Sequence, residues 1–75
     1  MIAARTPRVY EIRVGSHLDD RMATWLDAAT IENHEQGEAT LTTPPLDQAG
    51  LHGLLSRVRD LNLTLIAVRR TARGE

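Results

Sequence analysis

Apolar residues in the second half of the chain recur at Leu51, Leu54, Leu55, Val58 and Leu61, the i, i+3, i+4, i+7, i+10 spacing of a helical stripe. Arg57, Arg59 and Asp60 fall outside its centre. Asp47 stands where an N-cap belongs, its carboxylate placed to accept from free first-turn amides. Leu46 before it and Leu51 four residues after it match a hydrophobic staple. Pro44 and Pro45 donate no ladder hydrogen bond, so they end a preceding strand and lead extended chain into the cap. Asn62 tolerates the left-handed position that closes a helix.

The helix runs into Leu63–Val68, β-rich and apolar at nearly every position. Such a strand is expected to be covered on both faces, with Leu63, Leu65 and Ala67 pointing one way and Ile66 and Val68 the other.

Earlier in the chain, 8–14 alternates, with Tyr10, Ile12 and Val14 against Val9, Glu11 and Arg13, predicting a half-buried strand. Gly15-Ser16 breaks it. Ser16 or Asp19 then caps a short helix whose stripe is Leu18, Met22, Trp25 and Leu26, and the spacing makes Trp25 a core residue. Ala29 and Ile31, then Ala39, Leu41 and Thr43, alternate on either side of a turn around Gly37, the pattern of a β-hairpin. The order strand, helix, strand, strand, helix, strand predicts an α+β, ferredoxin-like βαββαβ fold: a four-stranded antiparallel sheet with two helices on one face. The chain is read as a single domain over 1–75, with 1–7 and 71–75 as loosely ordered tails.

Seventy-five residues give a marginal core, and the absence of cysteine removes disulfides and thiolate metal sites as reinforcement. Oligomerisation is the remaining common device. A net charge of -1 argues against wholesale electrostatic binding of nucleic acid or an anionic membrane. No apolar run approaches the roughly 20 residues of a membrane span, and the N-terminus lacks a signal-peptide core, so a cytoplasmic location is expected.

The fold predicts an outer sheet face of Val9, Glu11, Arg13, Thr30, Glu32, Thr40, Thr42, Ile66 and Val68. Apolar surface of several hundred Å² there would be unusual on a soluble monomer. A homodimer is therefore expected, with Val9, Thr40, Thr42, Ile66 and Val68 as interface residues.

Asp47-Gln48-Ala49-Gly50-Leu51-His52-Gly53, then Val58-Arg59-Asp60-Leu61, with Gly15–Asp19 and Trp25 upstream, form a recognisable pattern. It resembles a group of short bacterial proteins, common in GC-rich genomes, that carry an Asp-Gln-Ala-x-Leu-His-Gly helix and a following Arg-Asp-Leu. The resemblance spans residues 10–68 and implies no activity. Asn62 stands where the group has Gly.

Candidate chemistry is sparse. His17, Asp20 and His52 are the residues an acid-base enzyme would use, in a pocket formed at a dimer interface. A rim position hydrogen-bonded to backbone accounts for His52 without catalysis, and a solvated acidic end accounts for His17 and Asp20. His17, Asp19 and His34 fall at one end of the expected sheet and could serve a metal ion, yet no His-Glu-x-x-His spacing is present and a solvated acidic end explains them as well. Arg5, Arg8, Arg69 and Arg70, with Arg73, collect at the other end as an anion-binding candidate. With only Tyr10 and Trp25 as aromatics, the RNA-binding pattern is not met. Gly50 and Gly53 inside the helix signal either close approach of another group or tolerated first-turn glycines. The residues favour a non-catalytic dimeric interaction module or small-ligand-binding module that needs no cofactor. The alternatives are a small enzyme and a metal- or nucleic-acid-binding domain.

Overall fold

In the computed structural model, which describes residues 7–71, the order is β1 (Tyr10–Val14), α1 (Asp20–Leu26), β2 (Thr30–Asn33), β3 (Ala39–Thr42), α2 (Gln48–Asp60) and β4 (Leu65–Arg70). The strands form one sheet in the order β2-β3-β1-β4. Every neighbouring pair is antiparallel. This is the ferredoxin-like arrangement expected from the element order. The tails Met1–Thr6 and Ala72–Glu75, including Arg5 and Arg73, lie outside the described residues.

Both helices shelter the same face. Leu26 of α1 and Leu54 and Val58 of α2 share one buried cluster with Ile12, Val14, Leu18, Ala39 and Leu41. Thr43 joins them in the interior without being left unpaired, since its Oγ1 accepts from the Tyr10 amide at 3.1 Å. The Thr43 amide donates back to the Tyr10 carbonyl at 3.0 Å, so the ladder continues one residue past β3 with a side-chain oxygen in place of one carbonyl.

Helix ends follow the local sequence. Asp19 caps α1 by accepting from the Met22 amide at 2.9 Å, and Asp47 caps α2 by accepting from the Gly50 amide at 2.8 Å. At the far end of α2, Asn62 adopts φ 60°. Its amide donates to the Arg59 carbonyl at 2.9 Å while that of Leu63 donates to Val58 at 3.2 Å, a complete Schellman closure. Residues 62 and 63 are consumed in that turn, so β4 starts at Leu65, two residues later than the β-propensity of 63–68 predicts.

Two expectations about burial are corrected. Trp25 is 54% exposed rather than core, because Leu18 and Leu26 already fill the space under a helix of only seven residues. Arg57 lies over its ring, 6.0 Å from the centroid. Strand β4, expected to be covered on both faces, is exposed at all six positions. Two short helices do not span four strands, and the buried residues of α2 sit over β1 and β3, leaving β4 beyond the shelter.

Candidate functional site

The register decides which face each β4 side chain occupies. Val68 stands opposite Ile12, which is wholly buried toward the helices, so Val68 points to the helix side and not to the outer face. Ala67 stands opposite exposed Arg13, on the outer face. The pairing then jumps from Arg13–Ala67 to Val14–Leu65, leaving Ile66 as the extra residue of a β-bulge. Ile66 reaches toward Gly15, its Cδ1 3.7 Å from where a Cβ on Gly15 would lie.

The outer face is therefore polar. It carries Glu11, Arg13, Thr40, Ala67 and Arg69 around one shallow depression, with Thr42 across from Glu11 and Glu32 across from Thr40. Arg69 donates to Glu11 Oε1, and that hydrogen bond first, then the opposite charge, holds the guanidinium protonated above its usual range. Arg13 lies 3.9 Å from Glu38. Of the expected interface residues, Val9, Thr40 and Thr42 flank this polar face while Val68 is on the opposite side, so the five do not form one surface.

The apolar surface lies instead along β4. Leu65 is 45% exposed, Ile66 44% and Val68 39%. A groove of about 420 Å³ adjoins this strand, lined by Leu55, Leu63 and Leu65 with His52, Ser56 and Arg59 among its polar residues. Leu65 was assigned to a covered face by its alternation; the face is right, the cover is absent. Alternation read from sequence misses the bulge, which no residue type within β4 signals. The Gly15 amide donates to the Thr64 carbonyl at 2.9 Å.

The free edge of β4 follows from the ladder. The Thr71 amide donates to the Val9 carbonyl at 3.0 Å, which makes residues 71, 69 and 67 those whose backbone groups face β1. By alternation Val68 and Arg70 direct their N–H and C=O outward, and no described strand lies outside β4.

The remaining candidates are dispersed. His17 Nε2 donates to the His34 carbonyl, not to its ring, while His34 Nε2 lies 2.9 Å from Thr40 Oγ1. Asp19 is occupied as a cap. Among the described residues no three metal-ligating side chains gather. Asp20 is the exposed first residue of α1, and His52 lies on the groove beside β4, which neither His17 nor Asp20 lines. Arg8, Arg69 and Arg70 do meet around an open depression of about 740 Å³, but Glu11 is among them and binds Arg69. A feature without an early signal is Asn33: its side chain accepts from the Leu18 amide at 2.9 Å and donates to the Leu18 carbonyl at 3.0 Å, pinning β2 to the approach of α1.

The chain belongs to the family described as Domain of unknown function (DUF8691), whose model matches residues 9–69. The match begins just before β1 and ends inside β4, so it takes in the whole sheet-and-helix unit. No curated protein and no solved structure matches the chain.

Proposed function

We propose that this member of the DUF8691 family is a homodimeric interaction module that associates through the β4 edge. The observation that carries the proposal is the exposure of all six β4 residues, with Leu65, Ile66 and Val68 among them, on a strand whose outer backbone groups are unpaired by any described strand. Each of those side chains is about half in water already, so full burial is worth roughly 1 kcal/mol apiece at about 25 cal/mol per Å². Six such side chains across two copies, with the edge hydrogen bonds, only just offset an association cost of about 4–15 kcal/mol. The dimer so proposed is weak and concentration-dependent rather than obligate.

The small-ligand role belongs to the same edge, since the groove beside β4 is open on the side a second copy would wall. An acid-base enzyme is less well supported: His52 alone of its three candidates lies there, and His17 is engaged with the His34 carbonyl. The kinship extends, in this proposal, to short bacterial proteins sharing the Asp47–Gly53 motif, acting in the cytoplasm. Light scattering across a concentration series tests the association. A mass rising from 8.3 kDa toward twice that value by high micromolar concentration is expected, and a constant monomer mass would overturn the proposal.

A further inference from the structure

The same edge specifies how two copies meet. We infer that β4 pairs antiparallel with β4 of a second copy about a two-fold axis at Val68; the inference rests on the proposed edge association and adds its register. An antiparallel strand pairs with itself only where a residue faces its own copy, and Ala67, Val68 and Arg69 are the central positions available. Arg69 at the axis would set two guanidinium-bearing residues directly opposite in the closer, non-hydrogen-bonded kind of pair, which like charges disfavour. Ala67 at the axis would require Ile66, the bulged residue, to carry the flanking hydrogen-bonded pairs.

Val68 at the axis avoids the charge clash and keeps the bulged Ile66 out of the pairing around Ala67, leaving it only in the outermost hydrogen-bonded pairs, opposite Arg70 of the second copy. The N–H and C=O of Val68 both face outward, so two valines exchange a complete pair of hydrogen bonds from the regular part of each strand. The side chains also fit. On the outer face each Arg69 falls opposite Ala67 of the second copy, a long side chain against the smallest one on the strand. On the helix side the two Val68 side chains become neighbours, extending the apolar row that begins at Ile12. Arg70 lies opposite Ile66 of the second copy, where its aliphatic stem can cover the bulge while its charge stays in water. This alternation of large and small about Val68 favours a second copy over an unrelated strand as the occupant.

The chain has no cysteine, so single introduced thiols report the register without background. Residues 67 and 69 would face each other as a non-hydrogen-bonded pair, with Cα atoms about 4.5 Å apart, within reach of a disulfide. Ala67→Cys and Arg69→Cys proteins are mixed, oxidised mildly and resolved by intact mass, with light scattering on the same mixture. The expected result is a mixed disulfide at least tenfold above either homodisulfide. A dominant Ala67→Cys homodisulfide, or none of the three in a dimeric sample, would overturn the register while leaving edge association standing. No disulfide in a sample that is monomeric would overturn the association as well. Both positions are exposed, and circular dichroism of each variant confirms that the fold under test is retained.

Discussion

The sheet has two edges, and they are finished differently. Strand β2 is four residues long, carries exposed Glu32, and is tied at its end by the two hydrogen bonds between Asn33 and Leu18. Its one large apolar residue, Ile31, packs against the core. Strand β4 is six residues long, apolar over its first four, and exposed throughout. Short length and an exposed charge are the common protections against unwanted strand pairing, and β2 has both. Arg69 and Arg70 give β4 charge at one end only, and its bulge lies at the other, leaving Val68 as the unguarded centre. This unguarded edge is where the proposed association is placed.

The largest effect should come from closing that edge with charge. Val68→Lys places an ammonium at the centre of the proposed junction, where two-fold symmetry would bring it against its own copy. Loss of two apolar contacts plus the repulsion amounts to about 3 kcal/mol, or about a hundredfold in dissociation constant. Light scattering should then report a monomer at concentrations where the parent protein is dimeric, with far-UV circular dichroism unchanged. Glu32→Lys, which alters the guarded edge, should leave the mass untouched. Equal dimerisation by parent and Val68→Lys proteins would remove the distinction between the edges.

An intermediate effect is expected at the tie that finishes β2. Asn33→Ala leaves the amide and carbonyl of buried Leu18 without their partners, at a cost of about 2 kcal/mol. For a domain of this size that is about 10 °C in Tm. Asn33→Asp keeps the acceptor for the Leu18 amide and loses the donor, so thermal melts should place it between the two. If Asn33→Ala melts with the parent protein, the tie is decorative and β2 is guarded by length and charge alone.

Much of this was legible from local pattern, and what was missed shares a cause. The stripe of α2, the Asp47 cap and the left-handed Asn62 are short-range features, decided within a few residues, and each appears where periodicity and residue type put it. Short range also explains Asp19, the better of two possible caps, whose Oδ1 reaches the Met22 amide. The alternation of β1 and β3 predicted which residues are buried because a core covers that face of both. On β4 the same rule failed. Alternation assumes an unbroken pleat, and the bulge at Ile66 resets it; apolarity was read as burial, and only the reach of α2 could show that none was available. Trp25 failed for the same reason, since its place on the stripe was right but the space below it was already filled. At the candidate site His17 and His34 meet, yet the contact is ring to carbonyl and brings no ligand set together. The Asn33 tie joins positions fifteen residues apart, a separation that no local pattern encodes.

The smallest effect separates stability of the protomer from pairing of its edge. Gly50 and Gly53 both lie in α2, but a Cβ on Gly53 would meet nothing within 4 Å, whereas one on Gly50 would come within 3.2 Å of the capping Asp47 Oδ1 and 3.3 Å of Leu46 Cδ2. Gly53→Ala should therefore realise the helix-propensity gain of about 1 kcal/mol. Gly50→Ala should lose most of that gain, because the crowding falls on the cap and on the leucine that anchors the helix entry. Urea unfolding should show a higher midpoint for Gly53→Ala and little change for Gly50→Ala. Neither residue touches β4 or its groove, so dimerisation by both variants, extrapolated to native conditions, should match that of the parent. Association that strengthened with Gly53→Ala would mean that the β4 edge is coupled to the packing of α2, and that its exposure reflects a loosely held helix rather than a surface kept open for a second copy.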